Sequence, residues 1–117
     1  MTLMPFNLLK LCTDLTLNIT QKQHILLGIT SGVCALHTAG IAHCDIKLEN
    51  ILLDSNYQPK VADFGLAGSK RGAGTKSYMA PEHWIEQIPF DSIKADAWSF
   101  GILCFMLLEN RKPFTDE

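Results

Sequence analysis

The eight residues His43-Cys44-Asp45-Ile46-Lys47-Leu48-Glu49-Asn50 bring two carboxylates, a lysine and an amide together, and the apolar run Ile51-Leu52-Leu53 follows at once. Asp45 and Lys47 are two apart, Asn50 lies three further on, and Asp63 comes thirteen residues after Asn50. A carboxylate and an amide oxygen are hard ligands suited to magnesium. A neighbouring lysine neutralises phosphate charge, and a second carboxylate can accept a proton. Such a set suits phosphoryl transfer, which depends mainly on positioning and charge neutralisation. The same residues also fit a polar turn capped by Asp45 and Asn50, with Lys47 in solvent.

Specific elements must hold these groups. Ile51-Leu52-Leu53 and Lys60-Val61-Ala62 read as short strands. The six turn formers between them, Asp54 to Pro59, make the pair a hairpin. A hairpin brings its strand ends together, and so brings Asn50 towards Asp63. From Gly65 to Gly74 four glycines fall in ten residues, with Lys70 and Arg71 among them. That pattern predicts a long, mobile loop of the kind compact domains keep for function. Upstream, Thr20 to Gln23 reads as a capping box, and Ile25, Ile29, Val33 and Leu36 recur at helical spacing. A helix is expected over 21–39, ending at Gly40. From Ile93 to Leu108 the chain is apolar on nearly all sides, which predicts a buried helix.

Composition narrows the class. The chain has 117 residues, enough for at most one domain or part of one. It is 47% hydrophobic and 19% charged, with net charge −2. No basic surplus points to nucleic acid or an anionic membrane as partner. The longest apolar stretch, Ala97 to Leu108, is too short to cross a bilayer. The start, MTLMPFNLLK, lacks the basic and apolar regions of a signal peptide. Cys12, Cys34, Cys44 and Cys104 match no zinc spacing and read as reduced thiols of an intracellular, cytoplasmic protein.

His43 to Asn50 closely resembles the catalytic loop H-R-D-L-K-x-x-N of eukaryotic protein kinases. Asp63-Phe64-Gly65, Gly74-Thr75-Lys76-Ser77-Tyr78-Met79, Ala80-Pro81-Glu82 and the stretch Lys94 to Ile102 resemble four further kinase motifs, in the family's order. The resemblance runs from about Leu3 to Phe114. It implies an α+β, protein-kinase-like fold: a mainly helical large-lobe fragment with a small β-hairpin carrying the catalytic and metal-binding loops. Residues 1–117 would then be a partial kinase domain, without the small lobe and the C-terminal helices of the large lobe. It implies ATP and magnesium as cofactors, and a protein substrate with a serine or threonine acceptor.

The resemblance also implies roles. Asp45 matches the aspartate that orients the substrate hydroxyl and accepts its proton. Lys47 matches the lysine that meets the transferred phosphate, and its place two after the aspartate is typical of the serine/threonine class. Asn50 and Asp63 match the magnesium ligands, and Thr75 the threonine that bonds the aspartate and lysine. Glu49 resembles the position near the ribose or substrate, and Leu52 the floor under the adenine. Met4, Phe6 and Asn7 would lie where the last small-lobe strand runs into the hinge. Asp96 would hold the backbone amides of residues 43–45, because an aspartate on so apolar a helix needs partners. His43 and Phe64 would pack in the column joining the lobes, and Trp98 would be core.

Three departures stand out. Cys44 replaces the arginine that in many kinases pairs with an activation-loop phosphate, so control by that pairing is not expected. Leu48 replaces the loop's common proline. The 117 residues hold no G-x-G-x-x-G loop and no V-A-I-K lysine, so they are expected to be marginally stable and to bind ATP weakly on their own. The alternative function is a truncated, catalytically inactive kinase-like scaffold or binding fragment.

Overall fold

The computed structural model describes residues 6–14, 16–62, 72 and 74–111. Among the described residues the architecture is α+β, with three α-helices and one small antiparallel sheet.

Strand β1 (Phe6–Asn7) leads directly into helix α1 (Leu8–Asp14). The Asn7 side chain caps that helix, its Oδ1 accepting from Lys10 N–H at 2.8 Å. Helix α2 (Ile19–Thr38) begins two residues before the expected start. Its capping box is Asn18 with Gln21, not Thr20 with Gln23. Asn18 Oδ1 accepts from Gln21 N–H at 2.8 Å, and Gln21 Oε1 accepts from Asn18 N–H at 2.9 Å. Lys22 joins Ile25, Ile29 and Val33 on the buried stripe. Its stem is covered, and its ammonium donates to Leu108 O at 3.3 Å. At the other end Gly40 takes φ +78°, while Gly40 N–H donates to His37 O and Ile41 N–H to Leu36 O. This is a Schellman stop, and the left-handed residue it requires is glycine.

Strands β2 (Ile51–Leu53) and β3 (Pro59–Val61) form the expected hairpin, with the second strand one residue earlier than the sequence suggested. Ala62 lies just past the strand, yet its N–H donates to Asn50 O at 2.7 Å. The turn closes on Asp54, whose Oδ1 accepts from Asn56 N–H at 2.8 Å and Gln58 N–H at 3.0 Å. The segment expected to hold a strand running into a hinge supplies β1, an edge strand on this hairpin, with Asn7 opposite Leu52. Met4 lies outside the described residues. The alternation along β2 sends Ile51 and Leu53 into the core and Leu52 to the other, half-buried face.

Helix α3 (Ser92–Glu109) starts at Asp91, which accepts from Ile93 and Lys94 N–H, and stops at the left-handed Asn110. Its core face holds Ala95, Asp96, Ile102, Leu103 and Leu107. The expectation of an all-round buried helix is corrected: Trp98 is 38% and Leu108 43% exposed. Trp98 is about 120° around the helix from the middle of the buried stripe, so it is not core. Ile25, Ile29, Ile46, Ile51, Leu53, Leu103 and Leu107 form the centre, all of them exposed by 1% or less. Each such side chain contributes roughly 1.5–3 kcal/mol by leaving water. Among the described residues, no helix is long and apolar enough to cross a membrane.

Candidate active site

The polar loop between α2 and β2 is shaped from outside itself. Asp96, 1% exposed on α3, aims both carboxylate oxygens at it. Oδ2 accepts from His43 N–H at 2.7 Å, and Oδ1 from Cys44 N–H at 2.8 Å. Asp45 N–H, the third amide expected there, turns instead to His43 Nδ1 at 3.1 Å. That bond makes Nδ1 an acceptor and leaves the ring proton on Nε2, which donates to Ala62 O at 2.7 Å. His43 is fully buried and ties the loop to the hairpin, as a packed structural histidine. Cys44 takes the left-handed φ +74° between these anchors.

His37 also reaches Asp96, with Nε2 2.9 Å from Oδ2. Sequence reasoning passed over it. The available signal was its position four residues after Val33, on the buried side of α2.

The loop's functional candidates meet the second polar segment here. Thr75 Oγ1 donates to Asp45 Oδ1 at 2.8 Å and accepts from Lys47 Nζ at 3.0 Å. Lys47 Nζ lies 3.6 Å from Asp45 Oδ2. One hydroxyl therefore links an acid and a base from either side. Asn50 is buried to 7% exposure, and its Nδ2 donates to Asp45 O at 2.7 Å and lies 3.4 Å from Asp45 Oδ2. These bonds fix the amide's orientation and leave its oxygen without a hydrogen bond among the described residues. A hard oxygen held in this way fits a magnesium ligand. Asp63, the other expected ligand, follows Ala62 and lies outside the described residues, as do Phe64 and Arg71. Among the described residues, no three His, Cys, Asp or Glu side chains are grouped to hold a metal. Glu49 is exposed beside the loop, and Leu52 lies half-buried on the outer face of β2.

Gly74 lets the two segments approach. It takes φ +109°, and a Cβ there would stand 2.6 Å from Cys44 O. The 3₁₀ turn Lys76–Tyr78 follows, and Tyr78 is buried under the loop. Burial pushes the Tyr78 phenol up to about 12, against a smaller downward effect from its hydrogen bond with the Leu48 amide. Burial likewise raises the Cys12 and Cys104 thiols, keeping them protonated. None of the four cysteines, all among the described residues, is paired in a disulfide.

The model of the protein kinase domain matches residues 2–117. The chain belongs to the protein kinase family. Curated relatives agree with this membership. The serine/threonine-protein kinase GIN4 of Saccharomyces cerevisiae is 41% identical over 96 residues, covering 76% of this chain and 8% of the relative. CBL-interacting protein kinase 25 of Oryza sativa subsp. japonica is 40% identical over 99 residues, covering 76% of this chain and 19% of the relative. Receptor-interacting serine/threonine-protein kinase 1 of Homo sapiens is 31% identical over 122 residues, covering 86% of this chain and 18% of the relative. The kinase segment thus spans less than a fifth of the length of each of these relatives.

Proposed function

We propose that this chain carries the phosphoryl-transfer centre of a serine/threonine protein kinase, using ATP and magnesium to modify a protein hydroxyl. One observation carries the reading: the Thr75 hydroxyl joins Asp45 and Lys47, and the Asn50 amide is held against the same aspartate. Asp45 is the group that orients the acceptor hydroxyl and takes its proton. Thr75 holds Oδ1, and Oδ2, beside Asn50 Nδ2 and Lys47 Nζ, is the oxygen that would meet the acceptor hydroxyl. Lys47 supplies positive charge to the transferred phosphoryl oxygens as negative charge shifts onto them. Asn50, together with Asp63, would hold magnesium, which when bound neutralises phosphate charge. Leu52 offers an apolar surface for the adenine, and Glu49 lies at the rim for ribose or substrate. Cysteines outside any disulfide and a charge near neutrality accord with a cytoplasmic enzyme acting on protein rather than nucleic acid.

The test is magnesium-dependent transfer of phosphate from ATP to a serine or threonine peptide by the full-length protein, with Asp45→Asn as background. Transfer well above that background supports the reading. Equal rates for the two proteins would overturn it in favour of a kinase-like binding scaffold.

A further inference from the structure

The turn that carries Thr75 reaches the catalytic loop twice. Thr75 holds Asp45, and three residues later the Tyr78 hydroxyl accepts from Leu48 N–H at 3.3 Å. Both partners of this second bond are buried, Tyr78 at 5% and Leu48 at 3% exposure. Tyr78 is itself fixed by its backbone. Its N–H donates to Thr75 O at 3.0 Å, and its carbonyl accepts from Ser99 Oγ of α3 at 2.7 Å. On the other side, Leu48 opens the short 3₁₀ turn Leu48–Asn50, whose Asn50 N–H returns to Lys47 O at 3.0 Å. The bond therefore grips the loop between its lysine and its asparagine.

We propose that Tyr78 is a positioning residue for phosphoryl transfer: through the Leu48 amide, its hydroxyl sets Lys47 and Asn50 relative to Asp45. This rests on the kinase reading above. The tie needs a residue other than proline at position 48, because proline has no N–H to donate. Leu48 stands where the family's loop commonly has proline, so this chain holds its loop by a bond that a proline-bearing loop lacks. The high phenol pKa keeps the hydroxyl neutral and able to accept at ordinary pH.

The geometry supplies its own probe. Lys47 is extended, at φ −159° and ψ 165°, which suits a residue before proline. Leu48 occupies the first position of its turn, where proline's fixed φ is tolerated. Leu48→Pro thus removes the donor with little change of backbone, and Tyr78→Phe removes the acceptor. In the full-length protein, each single variant should lower kcat about fivefold with KM for ATP nearly unchanged. The double variant should be no slower than the singles, because both remove one bond. Amide exchange at Leu48 should accelerate in Tyr78→Phe. Additive losses, unchanged exchange, or a fall in kcat that merely follows a fall in Tm would overturn the proposal. An active wild type with an equally active Tyr78→Phe sinks the proposal alone. A wild type no faster than Asp45→Asn sinks the kinase reading, and the proposal with it.

Discussion

The Thr75 hydroxyl donates to Asp45 Oδ1 at 2.8 Å across thirty residues of sequence. Neither partner's own loop determines where the carboxylate points; the distance is set by how two segments meet. The first prediction concerns this contact. Thr75→Val keeps shape and removes the hydroxyl that Asp45 and Lys47 share. We expect kcat to fall about tenfold to a hundredfold, the scale of a misplaced reacting group. Thr75→Ser should recover most of it in the same peptide assay, and an equally inactive serine variant would argue that bulk, not the hydroxyl, matters.

Asp96 accepts from two backbone amides and meets His37 from inside the core. In Asp96→Asn the amide nitrogen must face at least one donor it cannot satisfy. Orphaned buried groups cost about 1–3 kcal/mol each. Calorimetry on the full-length protein should show Tm lower by roughly 5–10 °C, and an unchanged Tm would mean that the loop is anchored elsewhere.

Gly74 faces Cys44 O at a distance no Cβ tolerates, and its φ is left-handed. Gly74→Ala should push the Thr75 turn away from the loop, adding a backbone cost of about 1–3 kcal/mol. The expected signature is a joint fall in Tm and kcat. A fully active alanine variant would show that the approach is dispensable.

Tyr78 gives a pH prediction. Folding raises its phenol from 10.0 to about 12, chiefly by burial. The folded chain keeps a proton that the unfolded chain releases, so this contribution is complete below pH 10 and is lost as pH rises from about 10 to about 12. Lysines titrate in the same range, so the informative quantity is a difference. Chemical denaturation of wild type and Tyr78→Phe should show the wild type losing more stability across that window. Parallel curves would mean that the phenol titrates alike in both states.

Much of this site was legible because it lies in short, ordered motifs. The loop, the hairpin behind it and the role of Asp96 all follow from residue types that leave few alternatives: turn formers between apolar triplets, and one acid on an apolar helix. The errors have physical causes. Asn18 and Thr20 are both good caps, and each has glutamine three residues on, so two overlapping boxes competed. Asparagine is the stronger cap. Trp98 was misplaced because a helix apolar all round does not say which face meets water. The Leu48–Tyr78 bond joins a backbone amide to a side chain thirty residues away and leaves no periodic trace. Cys44, by contrast, was visible as a substitution, and its left-handed backbone was not.

The bond from Asp96 to His43 spans fifty-three residues, which has a consequence during synthesis. The loop leaves the ribosome well before the helix that shapes it. At translation rates of 5–20 residues per second, the delay is about 3–10 seconds. Through that interval the His43 and Cys44 amides lack the carboxylate that later holds them. The candidate site is therefore among the last parts of this segment to acquire its form, and a nascent chain halted before α3 would carry Asp45, Lys47 and Asn50 without the Asp96 anchor of their loop.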